Sequence, residues 1–167
     1  MIKVDPSKFP ISTGNRFADT STSPWIGPGH DESTAQDPGG YFTYTTTFDL
    51  TGFDPTTASL TGQWSTDDPG IEIILNGTVF AFTTPDQGFH MSYPYSMGSG
   101  FVSGVNTIQW VVSNDNWPPP SCGSNPTGFR NEYSVTAASE VPEPGSLALL
   151  GTGIFGLFLP TLHRMKS

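Results

Sequence analysis

Three groups of residues have types and spacing that could do chemistry, and the most distinctive is Val141-Pro142-Glu143-Pro144-Gly145-Ser146. Each proline fixes its own φ and disfavours helix in the residue before it, so Glu143 is held on an extended peptide that another protein could read. In the second group, Tyr93, Tyr95 and Trp117 fall in irregular, Pro-containing stretches close to Asn114, Asp115 and Asn116. Flat aromatic faces on loops can stack on sugar rings while neighbouring amides bond hydroxyls, so Tyr93, Tyr95, Asn114, Asn116 and Trp117 are ligand-binding candidates. Packing as hydrophobic plugs at the end of a domain accounts for the same aromatics. The third group, Asp67 and Asp68 followed by Glu72, could offer oxygens to a calcium ion, although a turn needs Asp, Pro and Gly at Asp67-Asp68-Pro69-Gly70 for backbone reasons alone.

Other constellations dissolve on inspection. Cys122 could act as a nucleophile with His30 or His90 as base, but Pro118-Pro119-Pro120-Ser121-Cys122 contains no activating motif. His30 and His90 have no neighbouring His or Cys at zinc-ligand spacing. Gly151-Thr152-Gly153-Ile154-Phe155-Gly156 matches a dinucleotide-binding pattern, yet no strand precedes it and too little chain follows. Asn76-Gly77-Thr78 matches a glycosylation sequon, but a hairpin turn accounts for its Asn and Gly without any sugar. No paired carboxylates stand in a recognisable setting for glycoside hydrolysis.

The elements that must position these residues are strands. In Tyr41–Leu50, Phe42, Tyr44, Phe48 and Leu50 share one face, with Thr43, Thr45, Thr47 and Asp49 on the other. Ala58, Leu60, Gly62 and Trp64 repeat the alternation, as do Ile71, Ile73 and Leu75. Asn76-Gly77 then joins two β-runs as a hairpin whose turn needs positive φ at both residues. Ile108, Trp110 and Val112 point one way in Thr107–Ser113. In the last strand Phe129, Tyr133, Val135 and Ala137 share a face, and Arg130, Glu132, Ser134 and Thr136 share the opposite one. Residues 83–100 are less regular. The abundance of turn formers, 19 Gly and 16 Pro in 167 residues, suits short strands joined by many turns. These features predict an all-β fold, an antiparallel β-sandwich of jelly-roll type at residues 25–140, behind an irregular segment 1–24.

Charge narrows the partners. Residues 1–140 contain four basic and fourteen acidic residues, a net −10, and no Lys or Arg stands between Arg16 and Arg130. That field repels phosphate backbones and argues against nucleic acid. A single cysteine excludes an intrachain disulfide.

Beyond the 141–146 hinge the polarity vanishes: Leu147 to Leu162 carries no charge and is apolar all round a helix, with Gly151, Gly153 and Gly156 between its large side chains. Sixteen helical residues rise about 24 Å, short of the roughly 30 Å of a hydrocarbon core, so a span within 147–167 needs snorkelling by Arg164 and Lys166 or local thinning of the bilayer. The basic end predicts a cytoplasmic C-terminus, with residues before Pro142 facing outward.

The order Val141-Pro142-Glu143-Pro144-Gly145-Ser146-Leu147, then Leu149-Leu150-Gly151, a Gly/Phe/Leu helix and a basic end resembles the PEP-CTERM sorting signal of bacterial exported proteins. The resemblance implies recognition of Pro142-Glu143-Pro144 by a membrane-embedded exosortase, removal of the tail, and a Gram-negative, exopolysaccharide-producing setting. The final His163-Arg164-Met165-Lys166 departs from the family's usual arginine cluster. The strands from Tyr41 to Arg130 more loosely resemble the galactose-binding-like sandwich that often precedes such tails. An exported chain should open on a basic, then apolar, leader. Residues 1–14 do not carry one, so the natural start is expected upstream.

The expectation is therefore an exported, non-enzymatic surface or matrix protein. Its expected partners are exosortase, the inner membrane during export, and extracellular polysaccharide. It has no cofactor beyond calcium at Asp67 and Asp68. A polysaccharide-active hydrolase or lyase is the alternative.

Overall fold

The structure is a computed structural model and describes residues 2–8, 14–33, 37–114 and 126–140. Nine strands follow one another: β1 (Ile2–Lys3), β2 (Ile26–Gly27), β3 (Gly40–Asp49), β4 (Ser59–Asp67), β5 (Gly70–Leu75), β6 (Thr78–Phe80), β7 (Tyr93–Met97), β8 (Val105–Asn114) and β9 (Gly128–Thr136). They form two sheets, ordered β1-β2-β9-β4-β7 and β3-β8-β5-β6, and every neighbouring pair is antiparallel.

The period-two pattern puts one face of each sheet inward. Tyr44 from β3, Leu60 and Trp64 from β4, Ile73 and Leu75 from β5, Ile108, Trp110 and Val112 from β8, and Phe129 from β9 form one buried cluster. Both Trp64 and Trp110 face inward as their strand phases predict, at 1% and 2% exposure. Asn76 and Gly77 adopt φ of 50° and 82°, the left-handed pair that the hairpin between β5 and β6 requires.

The Asp67-Asp68-Pro69-Gly70 turn carries the chain from one sheet to the other. It is tied to β8, since the Asp68 N–H donates to the Ser113 carbonyl at 3.2 Å and the Ser113 N–H to the Pro69 carbonyl at 2.9 Å. Glycine is required at its end, because a Cβ on Gly70 would lie 2.4 Å from the Trp64 indole.

The last strand departs from simple alternation. Arg130, placed by its phase on the outer face, is only 1% exposed. The reason is the N-terminal segment, which lies over that face: the Arg130 guanidinium sits 4.6 Å from the Phe17 ring centroid, and Phe17 donates its N–H to the Phe89 carbonyl. The same segment supplies β1 and a satellite core of Val4 and Trp25 packed with Phe89. Trp25 anchors it further by donating Nε1–H to the Phe17 carbonyl at 2.9 Å.

The chain leaves the sandwich at one pole. Ser139 bridges Phe53, and the Glu140 N–H donates to the Gly52 carbonyl at 2.9 Å. Gly40, Asp67, Asn114 and Gly128 gather at the other end of their strands. Among the described residues no helix is long and apolar enough to cross a membrane. The helix expected over 147–167 lies outside them, as does the 141–146 hinge.

Candidate functional site

The site begins with an uneven edge. Strand β2 pairs with β9 only at Ile26↔Phe129, so beyond that point the inward residues Asn131 and Tyr133 have no β2 neighbour. The facing sheet ends there too, on β3. Between the two edges opens a cleft of about 220 Å³ lined by Thr22, Ser23, Pro24, Ile26, Tyr44, Thr46, Trp110, Phe129, Asn131 and Tyr133. Pockets for drug-sized ligands run to roughly 300–1,000 Å³, so this one suits a single ring.

Its floor is aromatic. Tyr44 stacks on Phe129 with centroids 4.5 Å apart and planes at 18°, and Trp110 lies 5.5 Å from Phe129 and 5.6 Å from Tyr133. Tyr133 alone of these rings is substantially open, at 37% exposure. Its ring therefore rests on a fixed partner and presents another surface outward. The polar side of the cleft is fixed as well. Trp110 donates Nε1–H to the Tyr95 hydroxyl at 3.2 Å, and that hydroxyl donates to Asn131 Oδ1 at 2.7 Å. With Oδ1 engaged, the Asn131 side chain offers its Nδ2 amide as a donor. Burial raises the Tyr95 hydroxyl far above the ordinary tyrosine range, so it stays protonated and keeps its donor role. Ser23 donates Oγ–H to the Asn131 carbonyl at 2.8 Å, holding the strand edge in place.

A second, shallower groove of about 410 Å³ meets the first at Tyr133 and runs over the outer face past Thr61, Gln63, Pro94, Glu132 and Ser134. Its polar groups are linked, with Ser92 donating to Gln63 Oε1 at 2.7 Å and Gln63 to Glu132 Oε2 at 2.9 Å. The bond from Gln63, followed by the nearby Arg130, holds the Glu132 carboxyl below its usual range, so it is ionised.

Among the described residues, those singled out from the sequence are not gathered into one site. Tyr93 and Tyr95 belong to strand β7 rather than to a loop; Tyr95 is 4% exposed with its ring in the core, and offers no open face. Its part is to orient Asn131. Asn114 closes β8, is 1% exposed, and donates Nδ2–H to the carbonyls of Asp37 and Pro38 at 3.2 Å each. Asn116 and Trp117 lie outside the described residues, as do Cys122 and the residues Val141, Pro142, Glu143, Pro144 and Ser146. Asp67 ends β4, and burial, with repulsion from Asp68 and Asp86, pushes its carboxyl up to about 7. Among the described residues no three of His, Cys, Asp and Glu come together to hold a metal ion. His90 Nδ1 lies 2.6 Å from the Asn15 carbonyl.

Sequence reasoning missed Asn131, Tyr133 and Thr46. Their inward phase was readable, but an inward phase at a central strand means core. The cleft exists only because β2 is two residues long, which no sequence signal marked.

The described chain ends at Glu140, on the pole away from Asp67 and Asn114. Residues 140–159 match the PEP-CTERM protein-sorting motif. The PEP-CTERM motif is recognised by exosortase during export and marks this chain as an exported protein with a membrane-anchored sorting signal. It begins directly where the last bridge of the sandwich, Phe53 to Ser139, ties off the domain. No curated protein and no solved structure matches the chain.

Proposed function

We propose that the protein is a non-enzymatic component of the cell surface or extracellular matrix that binds a neutral sugar of an exopolysaccharide in the cleft at Tyr133. The observation that carries this reading is the relay from Trp110 through Tyr95 to Asn131. It fixes an amide donor beside a half-open aromatic ring, the pairing of polar edge and apolar face that a sugar ring presents. The described residues that line the cleft present aromatic, aliphatic, hydroxyl and amide groups, a set suited to binding a neutral ligand.

The order β2-β9-β4-β7 facing β3-β8-β5-β6 supports assigning the sandwich to the jelly-roll type. In this reading Leu147–Leu162 is the transient anchor and Pro142-Glu143-Pro144 the processed peptide.

Binding of the full-length chain to a glycan array tests the proposal. Tyr133→Ala is expected to weaken retention on neutral glycans by roughly tenfold, the loss of about one stacking contact, and Asn131→Ala to weaken it as well. Absence of binding to every glycan, or binding indifferent to both substitutions, would contradict it.

A further inference from the structure

At the pole away from Glu140, a carboxyl group is buried without a counter-charge among the described residues. Glu32 is 0% exposed; its Oε1 accepts the Gly29 N–H at 2.5 Å, and its Oε2 has no partner among the described residues. The Asp37 carboxyl lies within hydrogen-bonding reach of it, and the groups acting most strongly on Glu32 are Gly29, Asp37 and Asp31, none of them cationic. Lys8 is engaged elsewhere, 3.6 Å from Asp31. A buried carboxylate beside a second, half-buried one is unfavourable unless a proton or a cation lies between them.

The surroundings are shaped for oxygen ligands. A Cβ on Gly27 would stand 3.1 Å from both Glu32 Oε1 and the Thr127 carbonyl oxygen, and a Cβ on Gly29 only 2.8 Å from Glu32 Oε1. Glycine at both places leaves room for the carboxylate and brings the Thr127 carbonyl beside it. Asp37 is held to the same spot, since its Oδ2 accepts the Thr127 N–H at 3.3 Å. A separate orphan supports the same reading: the Tyr44 hydroxyl is buried without a partner among the described residues, and after burial itself the charge that most affects it is Glu32.

We propose that Glu32 and Asp37, with the Thr127 carbonyl, bind one divalent cation of the calcium type that clamps the N-terminal segment to the end of the sandwich. Carboxylate and carbonyl oxygens without nitrogen or sulfur select a hard ion, and calcium tolerates the irregular, partly water-completed coordination that two carboxylates would leave. The clamp joins the 27–33 loop, the entry to β3 and the start of β9. This site is distinct from the Asp67 and Asp68 pair expected from the sequence, and it does not depend on the sugar-binding reading.

The test uses the full chain in detergent, stripped with EDTA, titrated with calcium chloride by calorimetry, and unfolded thermally with calcium or with EDTA. One equivalent of calcium is expected to bind and to raise the unfolding temperature. Glu32→Gln and Asp37→Asn should each weaken binding roughly tenfold or more, while Asp67→Asn leaves it unchanged. No calcium binding and identical unfolding temperatures would overturn the proposal, whether or not the variants fold. So would a folded Glu32→Gln protein that binds calcium like the wild type, or loss of binding in Asp67→Asn alone.

Discussion

Tyr95 on β7 donates its hydroxyl hydrogen to Asn131 on β9 at 2.7 Å, although β4 runs between the two strands. The ring crosses β4 at Gly62, where a Cβ would lie 2.5 Å from the Tyr95 Cζ and hydroxyl oxygen and 2.7 Å from the Glu132 carbonyl. Gly62 pairs with Tyr95 on one side and Tyr133 on the other, so the glycine forms a trough through which the relay passes.

Gly62→Ala is therefore expected to destabilise the domain by about 1–3 kcal/mol through overpacking, and to disturb the cleft because Tyr95 must move away from Asn131. Urea unfolding of the variant measures the first effect. A loss below about 0.5 kcal/mol, the range of an ordinary surface change, would mean that the ring does not need the trough.

Much of this sandwich was legible in the chain. The alternation of Phe42, Tyr44 and Phe48, of Leu60 and Trp64, and of Ile108, Trp110 and Val112 reports directly which face each strand buries. Strand β7 escaped the sequence reading although Tyr93, Tyr95 and Met97 stand at period two, because Pro94 disguises it. Proline is tolerated there because β7 is the edge strand of its sheet, where a residue without an N–H donor can be accommodated. Coverage by a distant segment was not legible. Nothing local to Arg130 says that Phe17 will lie over it, and nothing local to Tyr133 says that β2 will stop short and leave it open. The sorting motif is the opposite case: its information is local and survives without any tertiary context.

Asp67 supplies a pH signature. Burial first, then Asp68 and Asp86, raise its carboxyl from 3.8 to about 7, so the folded chain binds that proton more tightly than the unfolded chain does. Below about pH 4 both states are protonated and the burial penalty is absent; it develops as pH rises and is complete above about pH 7. The full effect is on the order of 4 kcal/mol. Asp67→Asn cannot ionise, so its stability relative to the wild type is expected to improve between pH 5 and pH 8, as read by urea unfolding at both. A difference that does not change with pH would contradict an ionising Asp67 in the folded protein.

The central claim is that the C-terminal segment is a signal processed at Pro142-Glu143-Pro144 rather than a permanent anchor. The two prolines add no apolar driving force to Leu147–Leu162, and as residue types they disfavour helix around Glu143, the basis of the processing proposal. Replacing Pro142, Glu143 and Pro144 by alanine should leave an unprocessed, membrane-associated protein. The most direct measurement is mass spectrometry of the C-terminus of the wild-type surface protein, exported in its native host behind a functional leader. The account predicts a mature end upstream of Leu147; recovery of intact Arg164-Met165-Lys166-Ser167 on that protein would contradict it.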